Sequence, residues 1–149
     1  MLALTSQQMG KSAIIVDCDL RMPALSKALN IEKDHLGLLS VIDGSVSLDD
    51  AVHVEPTTGL HILMARSSER ALNINASDVL ASNRFRVLLD YLTRTYDIVI
   101  LDAPPTLVVT DARILASMAD AVVYAVRWDH TPRDAVLEGL RELGAADTK

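Results

Sequence analysis

The chain has 149 residues, half of them hydrophobic, with a formal net charge of −6 and a pI near 5.0. That is one domain's worth of chain with enough apolar side chain for a sizeable core, and its acidic balance argues against broad binding to nucleic acid or to an anionic membrane, since both need a basic face. The single cysteine, Cys18, excludes an intramolecular disulfide, and no signal peptide or long apolar span is visible, so a reducing cytoplasm is the expected compartment.

Residues 1–9 read as the end of a helix, with Gly10 as its left-handed stop and Lys11-Ser12 as the turn into a strand at 13–17. The run Thr5 to Ser12 has the outline of a phosphate-binding loop, but its first glycine is replaced by Thr5. Its order is also reversed: such a loop must follow a strand and open a helix, so that its amides face the anion. Pro23 suits a first helical position, with Leu25, Ala28 and Leu29 on one face. Ser47 to Asp50 has the form of a capping box that opens a short helix. Leu60 to Met64 reads as a strand and Arg66 to Asn75 as a loop. Phe85, Leu88, Leu89 and Leu92 recur at helical spacing, so residues 83–94 form a helix packed on the sheet. Strands follow at 97–102 and 121–126, and Val136, Leu137, Leu140 and Leu143 mark a last amphipathic helix after Pro132. The alternation predicts an α/β fold in a single domain over 1–149, without repeats or a second domain.

Two apolar runs end in acids. Ile14 to Val16 closes on Asp17-Cys18-Asp19, followed by Arg21 and Pro23; Ile98 to Leu101 closes on Asp102, followed by Ala-Pro-Pro. Strand-end acids from distant segments meet at the carboxyl edge of an open α/β sheet, where such folds place ligands. Magnesium, which takes oxygen ligands and keeps several waters, suits one or two of these carboxylates. The other reactive types offer less. His35, His53, His61 and His130 have no metal-ligand spacing. Cys18 has no paired histidine and reads as inert filler. Tyr91, Tyr96 and Tyr124 lie inside predicted elements and none reads as a phospho-acceptor.

The segments 16–23 and 97–105, with Val109-Thr-Asp111-Ala-Arg113 after them, resemble the Walker A′ and Walker B segments of bacterial tyrosine kinases. These are the cytoplasmic partners of polysaccharide chain-length regulators within the ParA/MinD-type group of P-loop proteins. The resemblance extends to 37–42, 47–52, 59–64 and 119–127. It implies a mostly parallel sheet with helices on both faces, P-loop NTPase-like, in which the P-loop strand would lie between strands 97–102 and 121–126 and upstream of Met1. The chain would then be a fragment truncated at both ends, with strand order 60–64, 13–17, 97–102, a vacancy or its closure, and 121–126.

The resemblance also implies roles. Asp17 would accept the proton of an incoming tyrosine hydroxyl beside the metal, Asp19 would hold magnesium through water, and Asp102 would anchor the metal shell. Arg21 would be a charge partner near the phosphates or the acids, and Asp111 and Arg113 part of a switch that senses the γ-phosphate. The implied function is ATP-dependent tyrosine autophosphorylation in exopolysaccharide or capsule biosynthesis, with ATP and Mg2+ as cofactors. A membrane chain-length regulator would be the activating partner, homo-oligomers would form in the complete protein, and the site of action would be cytoplasmic, at the inner face of the membrane through that partner. Three acids without a loop of amides and a lysine repel a polyphosphate, so this chain alone is expected to bind ATP weakly. A ParA/MinD-type positioning ATPase and a non-catalytic module with a lost nucleotide site are the alternatives.

Overall fold

A computed structural model describes residues 1–22, 24–29, 36–65 and 75–144. The chain divides into two compact units, 1–102 and 103–149.

In the first unit, helix α1 (Leu2–Gln8) ends where Gly10 takes φ +76°. The Gly10 amide donates to the Gln7 carbonyl and the Lys11 amide to that of Ser6, the paired closure that satisfies a helix's last carbonyls. The chain is thereby aimed into β1 (Ala13–Asp17), which is covered on both faces. On one face Ala3 of α1 joins Ala13, Leu60, Ile62 and Met64 in a buried cluster. Ile14 and Val16, on the other face by strand alternation, are fully buried too. Burial on both sides explains why β1 reads as an unbroken apolar run.

Short helices follow: α2 (Leu25–Ala28), α3 (Leu38–Asp43) and α4 (Leu48–Ala51). The capping box holds in modified form. Ser47 Oγ accepts from the Asp50 amide, while the Asp50 carboxylate takes the Ser47 hydroxyl rather than the backbone amide. Strand β2 (Val52–Val54) then runs antiparallel to β3 (His61–Leu63) across a turn tied by Glu55, whose carboxylate accepts from Thr57 and Thr58. Helix α5 (Ala76–Ala81) is capped by Asn75, and α6 (Asn83–Thr95) is capped by Ser82 and buries Phe85, Leu88 and Leu92. Strand β4 (Ile98–Asp102) completes a sheet of order β2-β3-β1-β4, parallel except at β2. The second unit holds α7 (Asp111–Ala116) and α8 (Arg133–Gly144).

The α/β architecture and the order β3-β1-β4 agree with the sequence reading. Four details differ. Residues 121–126 join no strand, and Val122, Val123 and Val126 are exposed; an apolar run becomes a strand only where a ladder partner exists, and among the described residues none pairs with it. The short β2, α3, α5 and α7 went unread, because three residues carry too little alternation and six too little helical period. Helix α2 begins at Leu25, with Leu25 packed on the core but Ala28 and Leu29 exposed; Pro23 lies outside the described residues, as do His35 and residues 66–74 of the predicted loop. In α8 the buried stripe runs through Gly139 and Leu143, leaving Leu137 and Leu140 exposed. Gly139 is small because the Tyr124 hydroxyl sits where its Cβ would be.

Candidate active site

Parallel pairing in register sets the site. Asp17 of β1 and Asp102 of β4 are register partners at the carboxyl ends of adjacent strands, and the Cys18 amide extends the ladder to the Asp102 carbonyl at 2.9 Å. Register partners in a sheet send their side chains to the same face, so two carboxylates that are 85 residues apart in sequence share one edge.

Their environments differ. Asp17 is 1 % exposed, and its Oδ1 accepts from the Asp19 amide at 3.1 Å. Its Oδ2 is buried without a hydrogen-bond partner. A buried, half-satisfied carboxylate is costly to ionise. Burial is the main cause that pushes its pKa to about 6; the Asp19 amide opposes this, the Asp102 charge adds to it, and smaller effects come from the Ala65 amide and the Asp19 charge. Asp102 is more open, and its pKa is raised first by partial burial and then by Asp19. Cys18 between them is fully buried, its thiol pushed far up by burial and by both acids, which fits the inert reading.

Asp19 is held differently. Its Oδ1 accepts from the Met22 amide at 2.9 Å and the Arg21 amide at 3.3 Å, so the carboxylate is turned onto its own loop. Its charge still reaches Asp17 and Asp102, and among the described residues no three acidic, histidine or cysteine groups form a cluster that could hold a metal. The two donors that fit a cation are Asp17 and Asp102: a hard ion beside them would satisfy the orphaned Oδ2 and relieve the repulsion between the acids. The Arg21 guanidinium donates to Ser77 Oγ at 3.2 Å, in the first turn of α5. In the second unit, Asp111 opens α7 and is fully buried, and Arg113 pairs with Glu142 of α8 at 2.8 Å.

The opposite sheet edge answers the question of the reversed loop. Lys11 and Ser12 lead into the amino end of β1, where the Ser12 amide and hydroxyl donate to Asp97 at 2.9 and 3.0 Å and Lys11 lies 3.6 Å from the same carboxylate. These groups clasp β1 to β4 at the edge away from the acids.

Strand-end acids at the carboxyl edge of a mostly parallel α/β sheet lie where open α/β folds place their ligands. A family model described as an AAA domain matches residues 1–145. The chain is 30 % identical over 148 residues to the tyrosine-protein kinase YwqD of Bacillus subtilis, covering 99 % of this chain and 60 % of that protein. The solved VpsO kinase domain superposes with a TM-score of 0.91 at 32 % identity, covering 99 % of this chain and 70 % of that one. More distantly, the septum site-determining protein MinD of Pyrococcus horikoshii, solved with Mg-ADP, matches at 26 % identity and a TM-score of 0.55 over 69 % of this chain and 40 % of that one. The chain belongs to the AAA-domain family of P-loop ATPases, in its bacterial tyrosine-kinase branch. It spans less than two thirds of the length of the curated relatives it matches. Among the described residues, no helix is long and apolar enough to cross a membrane.

Proposed function

We propose that this chain supplies the proton-accepting and metal-facing half of an ATP-dependent protein-tyrosine autokinase that acts in exopolysaccharide or capsule assembly. The observation that carries this is the register pair of Asp17 and Asp102, with Asp17 buried and poised near neutral pH. A general base works best when its pKa lies near the working pH. Asp17 takes the hydroxyl proton of an incoming tyrosine, and Asp102, more open, faces the cation. Magnesium, when bound, supplies charge neutralisation for the transferring phosphoryl group. Asp19, tied to its loop amides, acts through water, and its grip on the Arg21 and Met22 amides shapes the loop beside the site. Arg21, Asp111 and Arg113 complete the proposed set, as charge partner and γ-phosphate-sensing switch. Lys11 is bound into the opposite edge, so it does not serve as a phosphate-binding lysine. The higher TM-score to the VpsO kinase domain than to MinD, and the net charge of −6, favour the kinase over a positioning ATPase. The partner proposed is a membrane chain-length regulator, with homo-oligomers formed by the complete protein.

Fusing this chain to the part of the VpsO kinase domain that it does not span provides the test. The chimera, shown folded by circular dichroism, should accumulate phosphotyrosine with ATP and Mg2+ and lose it with Asp17→Asn or Asp102→Asn. A folded chimera that stays inactive, or keeps activity after both substitutions, refutes the assignment. The isolated chain should bind Mg-ATP weakly by calorimetry, unchanged by Lys11→Ala.

A further inference from the structure

A recess in the first unit is lined by residues of α4, β2, β3 and the end of α6. This open recess has a volume of about 150 Å3, and Asp49, His61, Tyr91 and Tyr96 line it together with apolar Leu48, Val52 and Val54. His61 Nδ1 and the Tyr96 hydroxyl are 2.7 Å apart, and their rings meet edge to face at 5.5 Å between centroids. This contact sets the Tyr96 ring as a fixed wall. Tyr91, in the last turns of α6, is 55 % exposed.

Three features of this recess select one chemistry. No lysine or arginine is among its lining residues, while Asp49 supplies a carboxylate. Burial, and then Asp49 and Tyr91, hold the Tyr96 hydroxyl above its ordinary pKa, so it stays a neutral hydroxyl. The recess also opens at the carboxyl end of α6, a 13-residue helix whose terminal carbonyls carry partial negative charge. Two tyrosine side chains, one carboxylate and a helix carboxyl end suit a planar cation that can stack and donate hydrogen bonds at once. An anion or an acidic peptide would meet the Asp49 carboxylate with no lysine or arginine among the lining residues to offset it.

We propose that this recess seats the guanidinium of an arginine side chain presented by a partner polypeptide, with Asp49 as its carboxylate and Tyr91 and Tyr96 as its stacking surfaces. The neighbouring strand β2 is a sheet edge, and Val54 at its end is 49 % exposed, so an extended segment carrying that arginine can lie alongside. The seat is independent of the tyrosine-kinase reading, because none of its residues belongs to the acid pair.

The test uses the full 149-residue chain, labelled with 15N, and the capped peptide Ac-Ala-Arg-Ala-amide. Amide shifts should map to residues 48–54, 61 and 91–96 and fade as salt is raised. The citrulline peptide, equal in shape but neutral, should leave these amides unmoved. Asp49→Asn should weaken the arginine peptide about five-fold, and Tyr91→Leu about three-fold, with the rest of the spectrum retained. Equal shifts from the citrulline peptide, shifts confined to residues near Asp17 and Asp102, or full binding by Asp49→Asn would each overturn the proposal.

Discussion

Strand β4 begins at one aspartate environment and ends at another. Asp97, just before its first residue, accepts from the Ser12 amide and hydroxyl with Lys11 nearby, and these partners hold its pKa below the ordinary range. Asp102, its last residue, faces Asp17 across the register, and both are shifted upward, chiefly by burial. The same residue type therefore stabilises the fold at one edge of the sheet and opposes it at the other. Charge satisfied by donors is structural here, whereas a buried carboxylate with one oxygen unsatisfied favours a partner that arrives from outside.

The sharpest way to break this comparison is Asp17→Asn. With a folded pKa of about 6 against an ordinary 3.8, the native state holds the proton more tightly than the unfolded chain. Stability therefore falls as pH rises between those values, and the cost is fully present above about pH 6. A two-unit difference corresponds to about 3 kcal/mol. Asn keeps a buried polar group but no charge, so the variant should gain roughly 1–3 kcal/mol at neutral pH. Its urea midpoint should also be nearly flat from pH 4 to 6, where the wild type declines. A variant less stable than wild type at neutral pH would mean that Asp17 is satisfied in solution.

Gly10→Ala tests the closed edge through its backbone. A φ of +76° strains any residue with a Cβ, and the substitution should cost about 1–2 kcal/mol in denaturant melts. The loss should be insensitive to pH, unlike that at Asp17. Magnesium comes next: it should raise the thermal midpoint of the wild type slightly at neutral pH, and the increment should vanish in Asp17→Asn. An equal increment in both would place the ion elsewhere.

Ser12→Ala should have the smallest effect. Asp97 is exposed, and the stability it provides is present above its unfolded pKa and lost as pH falls through its lowered folded value. The variant should melt slightly lower at pH 7 and match the wild type in strong acid.

Much of this edge contrast was legible beforehand. Gly10 followed by Lys-Ser and an apolar run signalled a helix stop rather than a phosphate loop, and its positive φ and clasp to Asp97 agree. The alternation of apolar runs placed β1, β3, β4 and α6, because long or doubly buried elements leave period and composition in the sequence. Residues 121–126 carry the same apolar, β-branched signal yet form no strand, since strand formation depends on a partner that the segment itself cannot specify. Nothing in the sequence showed that the Asp19 carboxylate accepts from the Arg21 and Met22 amides in an Asx-type turn. The His61 and Tyr96 pair has no sequence signature at all, lying 35 residues apart on different elements.

By itself, then, the sequence determined where α1 stops, that the run at 13–17 is buried on both faces and that acids close two of the strands, because these follow from local backbone preference and from hydrophobic period. Only the tertiary structure decided that Asp17 and Asp102 share a register, that one carboxylate oxygen is stranded without a donor, and that Asp97 is satisfied. Those outcomes depend on which strands become neighbours and how far water is excluded between them, and no single segment encodes either.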